Sequence, residues 1–265
     1  MTTMDAPDQD SELVFHYTRA ATALEHILET MMLRLNSISD TNDPWESRRE
    51  LTGFSARRRE LPDFAAWDEI DRHVKRARVA CFCREDGPAS RDPTALDFPL
   101  PWVGWARDRM WAQYADGHRG LCLAFDRRML IDSFNKALAS RGERLAENVT
   151  YSDDAPSLSY DNDRLHEVGT EAYKAEYRRQ HAHVRYLRKR KDWEGEREFR
   201  LVLLDDLDAG PDAHVPIDGA LVYVMMGDRF PRGYLPCIDA VTRRLGVPAY
   251  QLVYSGDVYA RQHGA

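Results

Sequence analysis

The feature that most constrains this chain is a change of period near residue 196. The charged stretch 164–191 reads as one long helix, open to interruption at Gly169. Glu196-Arg197-Glu198-Phe199-Arg200 then alternates before Leu201-Val202-Leu203-Leu204 turns wholly apolar. Alternation puts Glu196, Glu198 and Arg200 on one face of a strand, and the apolar continuation carries that strand into a buried sheet. Carboxylates on alternate residues stand roughly 7 Å apart. At that distance they can share a cation, or one can act while the other tunes it. The competing expectation is an edge strand whose polar face meets water.

The flanking sequence supplies neighbours for such a strand. Residues 13–18 read as a short strand ending in His16-Tyr17-Thr18. Thr18 is the expected N-cap of a helix over 19–30, with Ala20, Ala23, Leu24, Ile27 and Leu28 on its apolar face. Ring nitrogens, a phenol and a hydroxyl beside a helix N-terminus suit a phosphate or a ribose. A second strand is expected at 31–35. Asp43 before Pro44 then caps a helix over about 44–60, leaving Asn42 and Glu46 free to wall a cleft. Beyond a charged helix over 63–77, residues 78–83 form a compact apolar strand. The Pro-rich stretch 84–105 reads as a functional loop or lid.

Helical spacing returns at 108–116, and a buried strand at 119–125 follows a turn that holds His118. A helix over 127–141, a strand at 148–151, strands at 215–217 and 221–227, a helix at 233–245 and a closing strand at 250–254 complete the reading. Basic residues at 185–191 suit a helix C-terminus or a diphosphate. The pattern predicts an α+β protein in a single domain over 12–256, its central mixed or antiparallel sheet flanked by helices, between flexible tails at 1–11 and 257–265. A net charge of -7 argues against non-specific nucleic-acid binding. No apolar run is long enough to span a membrane, and the acidic first residues lack a leader pattern, so a cytoplasmic protein is expected. Cys81, Cys83, Cys122 and Cys237 make no C-x-x-C pair and read as reduced thiols rather than a metal site.

Five ordered motifs carry a family resemblance: Phe15-His16-Tyr17-Thr18, Asn42-Asp43-Pro44-x-Glu46, Cys81-Phe82, Met110-Trp111-x-x-Tyr114-Ala115-x-x-His118-x-Gly120, and Lys189-x-x-x-Trp193-x-x-Glu196-x-Glu198-x-Arg200. Together they resemble the bacterial family of domain of unknown function 2971. Cys83 departs from that family's usual Ser, and 84–105 is longer than its usual connection. The order of an early His, a middle aromatic and a late Glu is also similar to the layout of ADP-ribosyltransferase folds. That resemblance implies NAD as the cofactor, with His16 and Thr18 on a ribose and Tyr114 against nicotinamide. Glu198 would stabilise the oxocarbenium-like transition state, and Glu196 would orient an acceptor. Tyr17, Asn42, His118 and Arg200 would complete the cleft. The partner would be a small-molecule nucleotide, and the acceptor a protein or nucleic acid, in a toxin or phage-defence setting. Two alternatives stand beside it. One is a non-catalytic nucleotide-binding sensor or defence module. The other is a metal-dependent nuclease or hydrolase using Asp43, Glu46, Glu196 and Glu198, with Lys189 on a phosphate.

Overall fold

The computed structural model describes residues 13–43, 46, 53–55, 63–85, 91–95, 103–154, 158–207, 212–255 and 257–264. The expected helix over 44–60 and the middle of the expected lid fall largely outside these residues. The strands are Leu13–Thr18 (β1), Met32–Ser37 (β2), Gly53–Ser55 (β3), Arg78–Arg84 (β4), Leu121–Asp126 (β5), Gly142–Asn148 (β6) and Thr150–Tyr151 (β7). They continue with Ser159–Asp161 (β8), Arg188–Lys189 (β9), Glu198–Asp205 (β10), Ala213–Pro216 (β11), Leu221–Met226 (β12), Ala249–Ser255 (β13) and Asp257–Gln262 (β14). The helices are Phe64–Val74 (α1), Asp108–Tyr114 (α2), Arg127–Ala137 (α3), Asn162–Val168 (α4), Thr170–Tyr186 (α5) and Leu235–Leu245 (α6).

Among the described residues, ten of the strands make one mixed sheet in which only β12 and β13 run parallel. Each inner strand contributes alternate residues to opposite faces, so the sheet builds a core on both sides. One face packs Phe82, Phe125, Phe199, Leu201 and Leu203 against α3, α6 and the turns of 20–28. The other carries Phe15, Tyr17, Tyr223 and Met225 against Met110 and Trp111 of α2. Farther along that second face, Val79, Val202 and Leu204 meet α1, α4 and α5. The fold is therefore α+β with a large mixed sheet flanked by helices. Among the described residues no helix is long and apolar enough to cross a membrane.

The decisive irregularity is at β4. Strand β10 pairs with β4 from Arg78 to Cys83, which fills one edge. The other edge is shared: β1 pairs only near Cys83 and Arg84, and β2 only at Arg78 and Val79. Between them β1 leaves to follow β5 along its whole length, and β2 leaves to pair with β11. The sheet thus forks, and the chain crosses the fork through a π-helical run, Thr22–Leu28. A π-helix of this length is uncommon, and π-helical segments are frequent at functional sites.

Several expectations change. Strand β10 is not an edge strand: it lies between β4 and β6, and all eight of its residues are buried. Thr18 does not cap the following helix. It pairs with Leu121 in the β1–β5 ladder, and Ala21 precedes the π-helical run without a side-chain cap. The long helix expected over 164–191 divides at Gly169, whose φ of 80° breaks the winding, and it ends at Tyr186. Most of β6 went unforeseen because Gly142–Asn148 is half-buried and polar, with no apolar alternation. Residues expected as a tail from 257 form β14, antiparallel to β13. The last residues of the expected lid are pinned: Tyr17 donates to Gly104 O at 2.6 Å, and Trp111 Nε1 donates to Trp105 O at 2.7 Å.

The motif around His118 and Gly120 is structural. Asp116, Gly117 and His118 all take positive φ, and Gly120 N donates to Ala115 O to close the turn. A Cβ on Gly120 would stand 2.2 Å from Thr18 O, so this turn packs on the end of β1 only because the residue is glycine.

Just past β4, Glu85 is 3 % exposed. Burial pushes its carboxyl up to about 8, against a downward pull from the Gly104 backbone and Arg107. The unfolded carboxyl titrates near 4.5, so from there to about 8 the unfolded chain releases a proton that the folded chain keeps. Stability therefore falls as pH rises through that window, by at most about 1.4 kcal/mol per pH unit. Glu85→Gln should remove this loss. Urea unfolding of both proteins at about pH 5 and about pH 8 checks it; parallel pH dependence in the two would contradict the assignment.

Candidate functional site

The fork opens into a cleft of about 800 Å³. Cross-strand pairing places Phe15, Cys83 and Glu198 in one row, so the Cα atoms of Phe15 and Glu198 stand roughly 10 Å apart. The next row holds His16, Phe82 and Phe199, whose rings meet in sequence at 5.7 and 6.0 Å on the opposite face. A continuous sheet would keep His16 and Glu198 apart. Because β1 swings away from β4, His16, Tyr17, Tyr114, Glu196, Glu198 and Arg200 all line the same cleft, with Asn42 at its rim.

The charged end is one connected cluster. Arg200, with no exposed surface, donates from Nε to Glu198 Oε1 at 2.7 Å and from Nη2 to Glu198 Oε2 at 3.1 Å. Its Nη1 donates to Tyr186 O at 2.6 Å, at the end of α5, and lies 2.7 Å from Glu46 Oε1. The contact to Glu46 is a fully buried ion pair. Lys189 Nζ sits 2.8 Å from both Glu196 Oε2 and Glu198 Oε2. The cation shared by the two carboxylates is thus a lysine, which belongs to β9 rather than to a helix end. Glu196 comes from the 3₁₀ turn Lys191–Glu196 rather than from the strand, and Arg197 turns the chain into β10 with φ 46°. Tyr114 OH donates to Glu196 Oε1 at 2.5 Å, and Asn42 bonds Tyr114 in turn. On the other side Tyr151 OH accepts the Glu198 N–H at 2.8 Å.

These contacts decide protonation. Burial alone would raise the Glu198 carboxyl, but Arg200 and then Lys189 outweigh it and hold it well below the usual carboxylate range. Lys189 shows the converse: burial opposes its charge, while Glu198, Glu46 and Glu196 raise it despite Arg200. The Cys81 thiol donates to Glu198, and burial with the Glu198 charge pushes that thiol well up, so it is a neutral floor of the cleft. His16 Nδ1 donates to Cys81 O at 3.0 Å across the fork. Burial lowers the imidazole despite that bond, leaving it neutral with Nε2 as an acceptor.

Two expected site residues lie elsewhere. Thr18 is held in the β1–β5 ladder and does not wall the cleft. His118 is also outside it: its ring stacks on Trp111 at 6.1 Å, and Nδ1 faces Asp228 Oδ1 at 3.4 Å. Conversely, His26, Arg34, Asp212 and His214 line the far end of the cleft. Pairing of β2 with β11 brings Arg34 to Asp212, 178 positions away, at 3.4 Å. No local spacing could announce that. Cys81 did carry a signal as part of the motif Cys81-Phe82, and the structure sets it directly opposite Arg200 on the neighbouring strand.

Removing Arg200 would leave Glu198 and Glu46 buried against a lone lysine. Arg200→Leu should cost about 3–5 kcal/mol, far more than a surface charge. Equilibrium urea unfolding measures it, and a loss below about 1 kcal/mol would contradict the cluster as drawn. No curated protein and no solved structure matches the chain. Residues 110–201, from α2 to β10, match the model of the family described as protein of unknown function (DUF2971), the family that the sequence motifs resemble.

Proposed function

We propose that the cleft binds a nicotinamide dinucleotide and cleaves its glycosidic bond, transferring the ribosyl group to water or another acceptor. The observation that carries this reading is a buried carboxylate kept anionic by Arg200 and Lys189, in the same cleft as a neutral imidazole and a phenol. As the C1′–N bond breaks, its electron pair leaves on nicotinamide and positive charge grows on the ribose. A preplaced anion stabilises that charge with little reorganisation. The acceptor oxygen then bonds C1′ and its proton passes to solvent. His16 Nε2, an acceptor, suits a ribose hydroxyl, and the apolar floor from Ile27, Leu33 and Phe82 suits a base. A cleft of about 800 Å³ is within the range of small-molecule sites.

A second reading has its own support. Both Glu198 oxygens and both Glu196 oxygens already have protein partners. A cluster so fully satisfied can serve as scaffold, and the cleft would then bind a nucleotide without turnover. The metal-assisted reading has less support, because the Lys189 ammonium takes the position between Glu196 and Glu198 where a divalent cation would bridge them.

Calorimetric titration of NAD into the protein, with an assay for released nicotinamide, tests both. The enzyme reading expects saturable binding with release, weakened binding in His16→Ala, and Glu198→Gln turnover reduced by about 10²–10³ while binding persists. Binding without release selects the nucleotide-binding module. Absence of both in the folded protein overturns the proposal.

A further inference from the structure

A second cavity, of about 630 Å³, opens in the outer helical layer and shares no lining residue with the cleft. Arg72, His73 and Arg76, at the end of α1, face Lys174 of α5 across it. His73 is 8 % exposed, and among the described residues neither of its ring nitrogens has a hydrogen-bond partner. A neutral imidazole must carry one N–H, so a donor is left unsatisfied beside a polar cavity, a situation native structures avoid.

The surroundings of that donor are cationic in balance. Lys174 Nζ lies 2.7 Å from Glu69 and 2.6 Å from Glu171, and Arg178 Nη2 reaches Asp206 at 2.5 Å. Burial first, and then Arg178, Arg76 and Lys174, push the His73 imidazole down to about 4, with Asp206 opposing. Arg72, Arg76, Lys174 and Arg178 thus stand around the ring against Glu69, Glu171 and Asp206.

We propose that this cavity is a binding site for a small phosphate-class anion, held by Arg72, Arg76 and Lys174 with His73 as the donor in its wall. Guanidinium groups suit such an anion because their forked N–H groups match its oxygens. Two parts of the lining lead toward the charged cluster of the cleft: α5 ends at Tyr186, whose carbonyl receives Arg200, and Asp206 directly follows β10.

The test is a proton NMR titration of the full chain with inorganic phosphate at constant ionic strength, with chloride as the control. The His73 resonance is identified by its loss in His73→Gln. The expected result is a saturable shift specific to phosphate, with the His73 titration midpoint moving upward. Arg76→Gln should weaken phosphate by about tenfold or more, and Arg72→Gln serves the same purpose if the first variant does not fold. Competition by a nucleoside monophosphate marks a phosphomonoester site; phosphate binding without that competition marks a free-phosphate site, and either supports the proposal. No shift in the folded protein, an equal shift with chloride, or unchanged affinity in the folded variants would overturn it. So would an oligonucleotide that binds through these arginines while phosphate does not.

Discussion

Arg200 is the residue on which the cleft depends. A fully buried guanidinium is tolerated only if its charge and its donors are met in place, and here they are met by Glu198 on the same strand face, by Glu46, and by the last carbonyl of α5. One side chain thus ties the sheet to the helix behind it and to the segment that carries Asn42 and Asp43. Lys189 extends the tie to the turn that bears Glu196, and Tyr114 extends it to α2. In sign, the cluster is self-consistent. Glu198 has a depressed folded pKa, so its contribution is present above about 4.5 and lost as pH falls through the lower folded value. Lys189 has a raised one, so its contribution is present below about 10.5 and lost above. Across the neutral range both are charged and the cluster is intact.

The cluster would be mere scaffolding in a closed sheet. What gives it a surface is the fork at β4, where β1 and β2 share one edge and diverge. The unpaired stretch between them is bridged by His16 rather than by backbone, which puts an imidazole from one face of the sheet into a cleft that is also lined by buried carboxylates of the other. Left-handed backbone near the fork occurs at Met31 and Arg197 and gathers in one turn. The left-handed residues 116–118 are held by Gly120 and by the bond from Gly227 N to Gly120 O. That turn seats α2, and hence Tyr114, against Glu196.

Much of this was legible in the sequence. The alternation of Glu198 and Arg200 before an apolar run placed the charged strand, and the motif positions Asn42, Glu46, Tyr114, Lys189 and Glu196 all converge on it. Local pattern failed where tertiary pairing decides. Lys189 looks like a helix-end cation, but α5 stops early and the lysine is drawn into a buried pair. His118 looks spare for function, whereas its left-handed turn and its stacking on Trp111 explain it. Thr18 looks like a cap, yet the ladder with β5 claims it. The far end of the cleft was invisible because β2 and β11 meet only in three dimensions.

The most direct test of this account is a double-mutant cycle on Lys189→Met and Glu198→Gln, with stability read by urea unfolding. If the buried charges form one unit, the two losses should be strongly non-additive, with a coupling of about 1–3 kcal/mol. Losses that add within about 0.3–0.5 kcal/mol would show two independent side chains and contradict the cluster as the element that organises the cleft.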